Sequence, residues 1–322
     1  MSGWEYAYAV AHVRALESNL LSGADIEQMT ALKDDGQVLA YLKERGWGDD
    51  SGDSAEDILS AERKKTWALM RDLKVDPKVF EIFSYPALYH NLKAAVKASC
   101  ITDKHPGVFY DDNEYGEERM MRILQDKDYG ALPDHMQAAA EEAYSTLLHT
   151  RDGQLCDIII DRAQLVATEE AGLASKEQII RDYAQRFVAV SDIKIAARAA
   201  LTGKSREFLT RALAPSSGIS IENLMNAASS GLPAVIEYLR ETSYAGAAAA
   251  LEDSPSAFER WCDDQIIEAI RPQKYVACTA GPVIAYLLAR ENEIKMARII
   301  LTAKANDLPD EAIRERTRKM YV

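Results

Sequence analysis

PVIAYLLARENEIKMARIILTAK, residues 282–304, decides how this chain is read. On a helical wheel, at about 100° per residue, Val283, Leu287, Ile294 and Leu301 fall on one side, and Ile284, Leu288 and Ile299 a little further round. That is the period of an amphipathic α-helix. Glu291, Lys295 and Arg298 project between the two apolar groups. Charges inside an apolar stripe are costly unless they are paired. Glu291 and Lys295 are one turn apart, and Glu291 and Arg298 are two, so an internal ion-pair ladder is the expected arrangement. The alternative is a charged ridge offered to a partner. These three residues are the candidate structural or partner-contact charges.

The middle of this stretch recurs. Ile294-Lys295-Met296-Ala297 is matched by Ile193-Lys194-Ile195-Ala196 and by Leu92-Lys93-Ala94-Ala95, in steps of 101 residues. A basic residue follows each time: Arg298, Arg198 and Lys97. An acidic residue, Glu62, Asp161 or Glu259, precedes each basic helix by about 30 residues. Val13-Arg14-Ala15 is a weaker fourth copy, and Val38–Leu42 echoes Val235–Leu239 after Gly36 and Gly231. Equal spacing points to three helical units, each burying one face on its neighbours. Their expected bounds are 1–84, 85–191 and 192–322, with the last helices completing the first unit.

Outside this stretch the period is again 3.6. It predicts helices over 4–22, 54–73, 86–99, 116–126, 133–149, 176–201, 204–213, 219–229, 233–242, 255–271 and 309–319. Ser54-Ala-Glu-Asp57 and Ser175-Lys-Glu-Gln178 have the pattern of capping boxes. Pro133, Pro233, Pro255, Pro282 and Pro309 stand where a first-turn proline belongs. Strand signals are nearly absent, and Ile158-Ile159-Ile160 is flanked by helix formers. The chain therefore reads as all-α, with polar loops at 49–53 and 102–118.

Of the 322 residues, 48% are hydrophobic and 28% charged, enough apolar material for a sizeable core. No window resembles a bilayer-spanning helix, and MSGWEYAYAV lacks the basic and apolar regions of a secretory signal. The net charge is −13, which disfavours nucleic acid or anionic lipid as the main partner and suits docking on a basic protein surface. Cys100, Cys156, Cys262 and Cys278 are far apart and form no C-x-x-C, as expected for reduced cytosolic thiols.

Signals for chemistry are thin. Thr202-Gly203-Lys204-Ser205 mimics the end of a phosphate-binding loop, but Arg198 stands where its first glycine belongs, so a helix end is expected. The five histidines share no metal-ligand spacing. Asp263, Asp264 and Glu268 could chelate Mg²⁺ for a diphosphate, as in an isoprenoid-type synthase. Asp111-Asp112-Asn113-Glu114 would have to supply the second cluster. A solvated helix face is the simpler expectation, and no catalytic, cofactor or metal residue is assigned.

Three stretches closely resemble the C subunit of V-type/A-type rotary ATPases, whose counterpart in eukaryotic vacuolar ATPases is the d subunit. They are the run Val283–Leu301, the run Asp307-Leu-Pro-Asp-Glu-Ala-Ile-Arg-Glu-Arg with Tyr321-Val322, and Tyr6-Ala-Tyr-Ala-Val-Ala with Val13-Arg14 near the start. Gly281, Met296-Ala297 and His12 depart from the family pattern. The resemblance implies a funnel-like, all-α protein of three similar subdomains around a pseudo-threefold axis. It implies a seat on the membrane rotor ring, on the cytoplasmic side, with the central-stalk subunits docking into the funnel. The implied role is torque transmission for ion transport, without catalysis and without a cofactor.

Overall fold

The computed structural model describes residues 6–48, 52–99, 109–111 and 113–322. Cys100, His105, Asp112, residues 49–51 and, of the loop expected at 102–118, residues 102–108 lie outside the described residues. Among the described residues there are sixteen α-helices and no strand, so the fold is all-α. In chain order they are α1 (Ala7–Leu16), α2 (Gly23–Ala31), α3 (Asp35–Glu44), α4 (Ala55–Asp72), α5 (Lys78–Ala98), α6 (Glu117–Asp126), α7 (Asp134–Thr150) and α8 (Gly153–Ala174). The remainder are α9 (Gln178–Leu201), α10 (Arg206–Ala212), α11 (Ile221–Ser230), α12 (Leu232–Arg240), α13 (Ala245–Asp253), α14 (Pro255–Ile270), α15 (Ala280–Ala305) and α16 (Asp310–Arg314).

Local chemistry sets many of these boundaries. Ser54 and Asp57 form the expected capping box on α4, and Ser22 with Asp25 forms another on α2. Ser175 does not cap α9, which starts at Gln178; its hydroxyl accepts the Glu177 amide at 3.1 Å in the turn between α8 and α9. Pro86 lies inside α5 instead of opening it. An interior proline removes one N–H, a cost of ~3 kcal/mol, but the preceding turn buries Val79, Phe80, Ile82 and Phe83, which outweighs it. Periodicity assigns no helix to α2, α3, α8 or α13. In α8 the run Ile158–Ile160 has modest helix propensity, and packing between α7 and α9 supplies the rest.

The chain divides by packing into two units. Met1–Val79 and Gly246–Val322 form one. Its central rod is α15, which packs against α4, α1, α3 and α14. Every residue from Gly281 to Arg290 is buried, as expected of a helix apolar on all sides. Leu21, Met29, Leu42 and Ile58 close on Met296 and Ile300 to make the core.

Phe80–Ala245 form the other unit. Here α7, α8 and α9 are successive neighbours, and α11 and α12 lie on α9. The helices α8 and α9 approach closely at Gly172, where any Cβ would overlap that of Ala184. Leu165, Val188 and Ala214 meet in a buried cluster.

Candidate interaction site

Among the described residues, the three expected charges of α15 share no partner and do not pair with one another. Glu291 accepts the Trp67 indole N–H at 3.0 Å and lies 3.6 Å from Arg63, both on α4. Lys295 meets Asp263 of α14 at 2.7 Å. Arg298 forks onto Glu56 at the start of α4, with Nη2 to Oε1 at 3.0 Å. Lys295 and Arg298 are exposed and Glu291 is half-buried. These charges thus brace α15 against α4 and α14 from its rim.

Three charges on α15 are buried, and the helical wheel singles out none of them: Lys304, which meets Asp310 of α16 at 2.8 Å, and the pair Arg290 and Glu293. Arg290 donates to Glu293 Oε2 at 2.6 Å and to Glu62 of α4. Its guanidinium also lies 5.1 Å over the Trp47 ring. Glu62 accepts the Gly48 amide at 3.0 Å, and Glu293 accepts the Leu21 amide. One cation therefore serves two carboxylates, and each carboxylate also ties down a connecting loop. Burial pushes the Glu293 carboxyl up to about 7, against the pull of Arg290 and the Leu21 amide.

Asp263, Asp264 and Glu268 do not form an open chelating set. The non-helical residues 317–321, which follow the turn after α16, run along α14 and occupy them. Asp263 holds both Lys295 and Arg318 at 2.7 Å. Asp264 accepts the Lys319 amide at 2.8 Å, and Glu268 pairs with the Lys319 ammonium at 2.7 Å. Burial raises Asp263, but its two cations outweigh burial and hold it below the usual carboxylate range. The strap continues with Met320 and Tyr321, both buried, and Asn292 of α15 donates to the Lys319 carbonyl at 3.1 Å. With each carboxylate engaged by a protein cation or amide, the synthase reading has no support. Among the described residues, no three Asp, Glu, His or Cys side chains stand close enough to hold a metal.

The remaining expected signals also resolve as structure. Gly203 takes φ +62° where α9 ends, and Ser205 caps α10 through the Phe208 amide. Cys156 and Cys262 are buried and Cys278 is exposed, none of the three in a disulfide. Arg14, in the weak fourth repeat, ties α1 to the turn after α14 through the carbonyls of Gln273 (2.5 Å) and Val276 (3.0 Å).

One set of residues escaped the sequence reading although it sits beside the recurring tetrapeptides. Asn91, Asp192 and Glu293 precede them in the same 101-residue steps. All three are buried at 1% exposure or less. Each accepts a backbone amide from a connecting segment: Tyr110 to Asn91 at 2.8 Å, Ala214 to Asp192 at 3.0 Å, and Leu21 to Glu293. The flanking ion pairs repeat as well. Lys93 and Lys97 of α5 meet Asp161 and Asp157 of α8 in antiparallel order. Arg298 meets Glu56 in the antiparallel pair of α15 and α4, and Asp157 stands 101 residues after Glu56.

Comparison with known proteins agrees with this architecture. The chain is similar to the C subunit of the V-type sodium ATPase of Enterococcus hirae, with 23% identity over 317 residues, covering 96% of this chain and 97% of that protein. A family model described as ATP synthase (C/AC39) subunit matches residues 9–316. With nearly the whole chain matched and an all-helical fold behind it, the chain belongs to the C/AC39 subunit family of V-type and A-type ATP synthases.

Proposed function

We propose that this chain is the non-catalytic rotor adaptor of a V/A-type ATPase, linking the central stalk to the membrane rotor ring and transmitting torque for ion transport. The family match over residues 9–316 carries this reading. A torque coupler must be stiff, and close-packed helices such as α15, buried on all sides along its first half, resist deformation. Among the described residues no helix is long and apolar enough to cross a membrane, which suits a peripheral seat on the cytoplasmic side of the ring. Three recurring helical units in a pseudo-threefold arrangement would match a symmetric ring. The equal spacing of Asn91, Asp192 and Glu293, each clasping a loop, supports that division.

Docking of the stalk on an acidic chain is steered by charge, so its strength should fall with salt. Glu291, Lys295 and Arg298 act in this reading as internal braces, with the exposed Lys295 and Arg298 also within a partner's reach. The test is reconstitution of the full chain with purified stalk subunits and the detergent-solubilised ring. The expected result is one complex holding all three, with stalk binding weakened between low and high salt. A chain that binds neither stalk nor ring would overturn the reading; binding insensitive to salt would overturn the electrostatic part alone.

A further inference from the structure

Of the three equivalent loop clasps, the one at Asp192 lacks the balance of the others. Asn91 is neutral and uses both its donor and its acceptor. Glu293 faces Arg290 directly. Asp192 is fully buried and accepts one bond, from Ala214, while its Oδ2 has no hydrogen-bond partner among the described residues. On α8, Glu169 is buried too; its Oε1 accepts the Ser217 amide at 2.6 Å and its Oε2 also has no partner among them. Two carboxyl groups thus grip the same short segment, 213–218, and each is left one donor short. For Asp192, the more deeply buried of the two, a carboxylate with an orphaned oxygen beside the Glu169 charge is unfavourable, whereas a carboxylic acid brings its own O–H.

We infer that Asp192 is a proton-binding site: it sits in the fold as a neutral carboxylic acid, and its proton latches segment 213–218 onto α8 and α9. The neutral Asn91 at the equivalent position shows that the clasp works without charge. Arg162 of α8 also faces Asp192, but its Nε is committed to the Leu213 carbonyl at 3.0 Å. Tyr244 faces both Glu169 and Arg186 of α9. The charged side chains of α10, α11 and α12, namely Arg206, Glu207, Arg211, Glu222, Glu237 and Arg240, are exposed. Burial, with the Glu169 charge behind it, pushes Asp192 up to about 8 against the Ala214 amide and Arg162.

Opening the segment hydrates Asp192 and returns it toward its ordinary value of 3.8. The closed form therefore binds one more proton than the open form between those two values. Opening becomes easier as pH rises toward 8, by up to about tenfold per pH unit, and levels off above it.

The experiment uses the full chain. Amide exchange at Ala214, corrected for the intrinsic pH dependence, should show opening that increases from pH 6 to pH 8 in the wild type and stays flat in Asp192→Asn, which imitates the protonated form. Carboxyl ¹³C NMR should show Asp192 titrating far above an ordinary aspartate. Glu169→Gln, which removes the neighbouring charge, should move that midpoint down. Asp192 titrating near pH 4, wild-type opening independent of pH, or a slope retained in Asp192→Asn would each overturn the proposal. If Asp192→Asn does not fold, the neutral form is not the one the fold accepts, which also counts against it.

Discussion

Asn91 and Tyr110 are joined twice: the Tyr110 amide donates to Asn91 Oδ1 at 2.8 Å, and Asn91 Nδ2 donates to the Tyr110 carbonyl at 2.8 Å. The same nitrogen donates to the Tyr115 carbonyl at 2.9 Å. Only a carboxamide offers donor and acceptor together at this spot. Asn91→Asp keeps the shape, removes the donor and buries a charge. It should cost about 2–4 kcal/mol in urea denaturation at pH 7, and less at pH 4–5, where a protonated aspartate can donate. Wild-type stability in the variant at pH 7 would show that these bonds do not hold the segment.

Arg290 and Arg298 lie on one helix and should differ sharply in worth. Arg290→Met strands Glu293 in the core, leaves Glu62 with Lys65 at 3.7 Å as a cation, and should cost about 3–5 kcal/mol. The Arg298–Glu56 pair is about half exposed at both ends, 45% and 55%. Arg298→Ala should therefore cost under ~1 kcal/mol. Urea midpoints of the two variants decide the matter, and equal losses would contradict the burial argument.

Glu293 sets a pH dependence of known sign. Its carboxyl is raised from 4.5 to about 7 in the fold, so between those values the native state binds more protons than the unfolded chain. Its contribution to stability is present at low pH, shrinks as pH rises through 7, and is constant above. Denaturation of wild type and Glu293→Gln from pH 5 to pH 8 should show their difference drifting in the glutamine's favour until it levels off. A difference constant across the range would count against it.

Asp263 works in the opposite sense. Its carboxyl is lowered, so the anchoring of Lys295 and Arg318 is complete above the ordinary carboxylate range and is lost only as pH falls through the lowered value. Asp263→Asn should cost about 2–3 kcal/mol and loosen the C-terminal strap. Faster trimming by carboxypeptidase and faster amide exchange at Lys319 are the readouts; a strap as protected as in the wild type would remove Asp263 from this role.

The all-helical class was legible because the period holds over long stretches such as α4, α9 and α15, and at α4 the expected capping box agrees with it. The short helices α2 and α3 were not, because nine or ten residues with a glycine in the first turn carry little periodicity. Ile158–Ile160 hid α8 for a different reason: what keeps that run helical is contact with α7 and α9, which no local pattern records. The wheel placed Glu291, Lys295 and Arg298 within an apolar stripe, but α15 has no single stripe, being buried on every side up to Arg290. The buried pair Arg290 and Glu293 shows only once Glu62 and Leu21 are seen beside it. The spacing of Asn91, Asp192 and Glu293 was readable in the sequence, yet a polar residue at a repeat position signals nothing until its burial is known.

The unit built around α15 takes its two halves from opposite ends of the chain. During synthesis at ~5–20 residues per second, the first 79 residues must wait roughly 10–40 s for Met296 and Ile300 to emerge. Until then Leu21, Met29, Leu42 and Ile58 have no counterpart, and the nascent chain carries a sticky, half-finished surface. A chaperone that shields the N-terminal segment on the ribosome would protect this protein most.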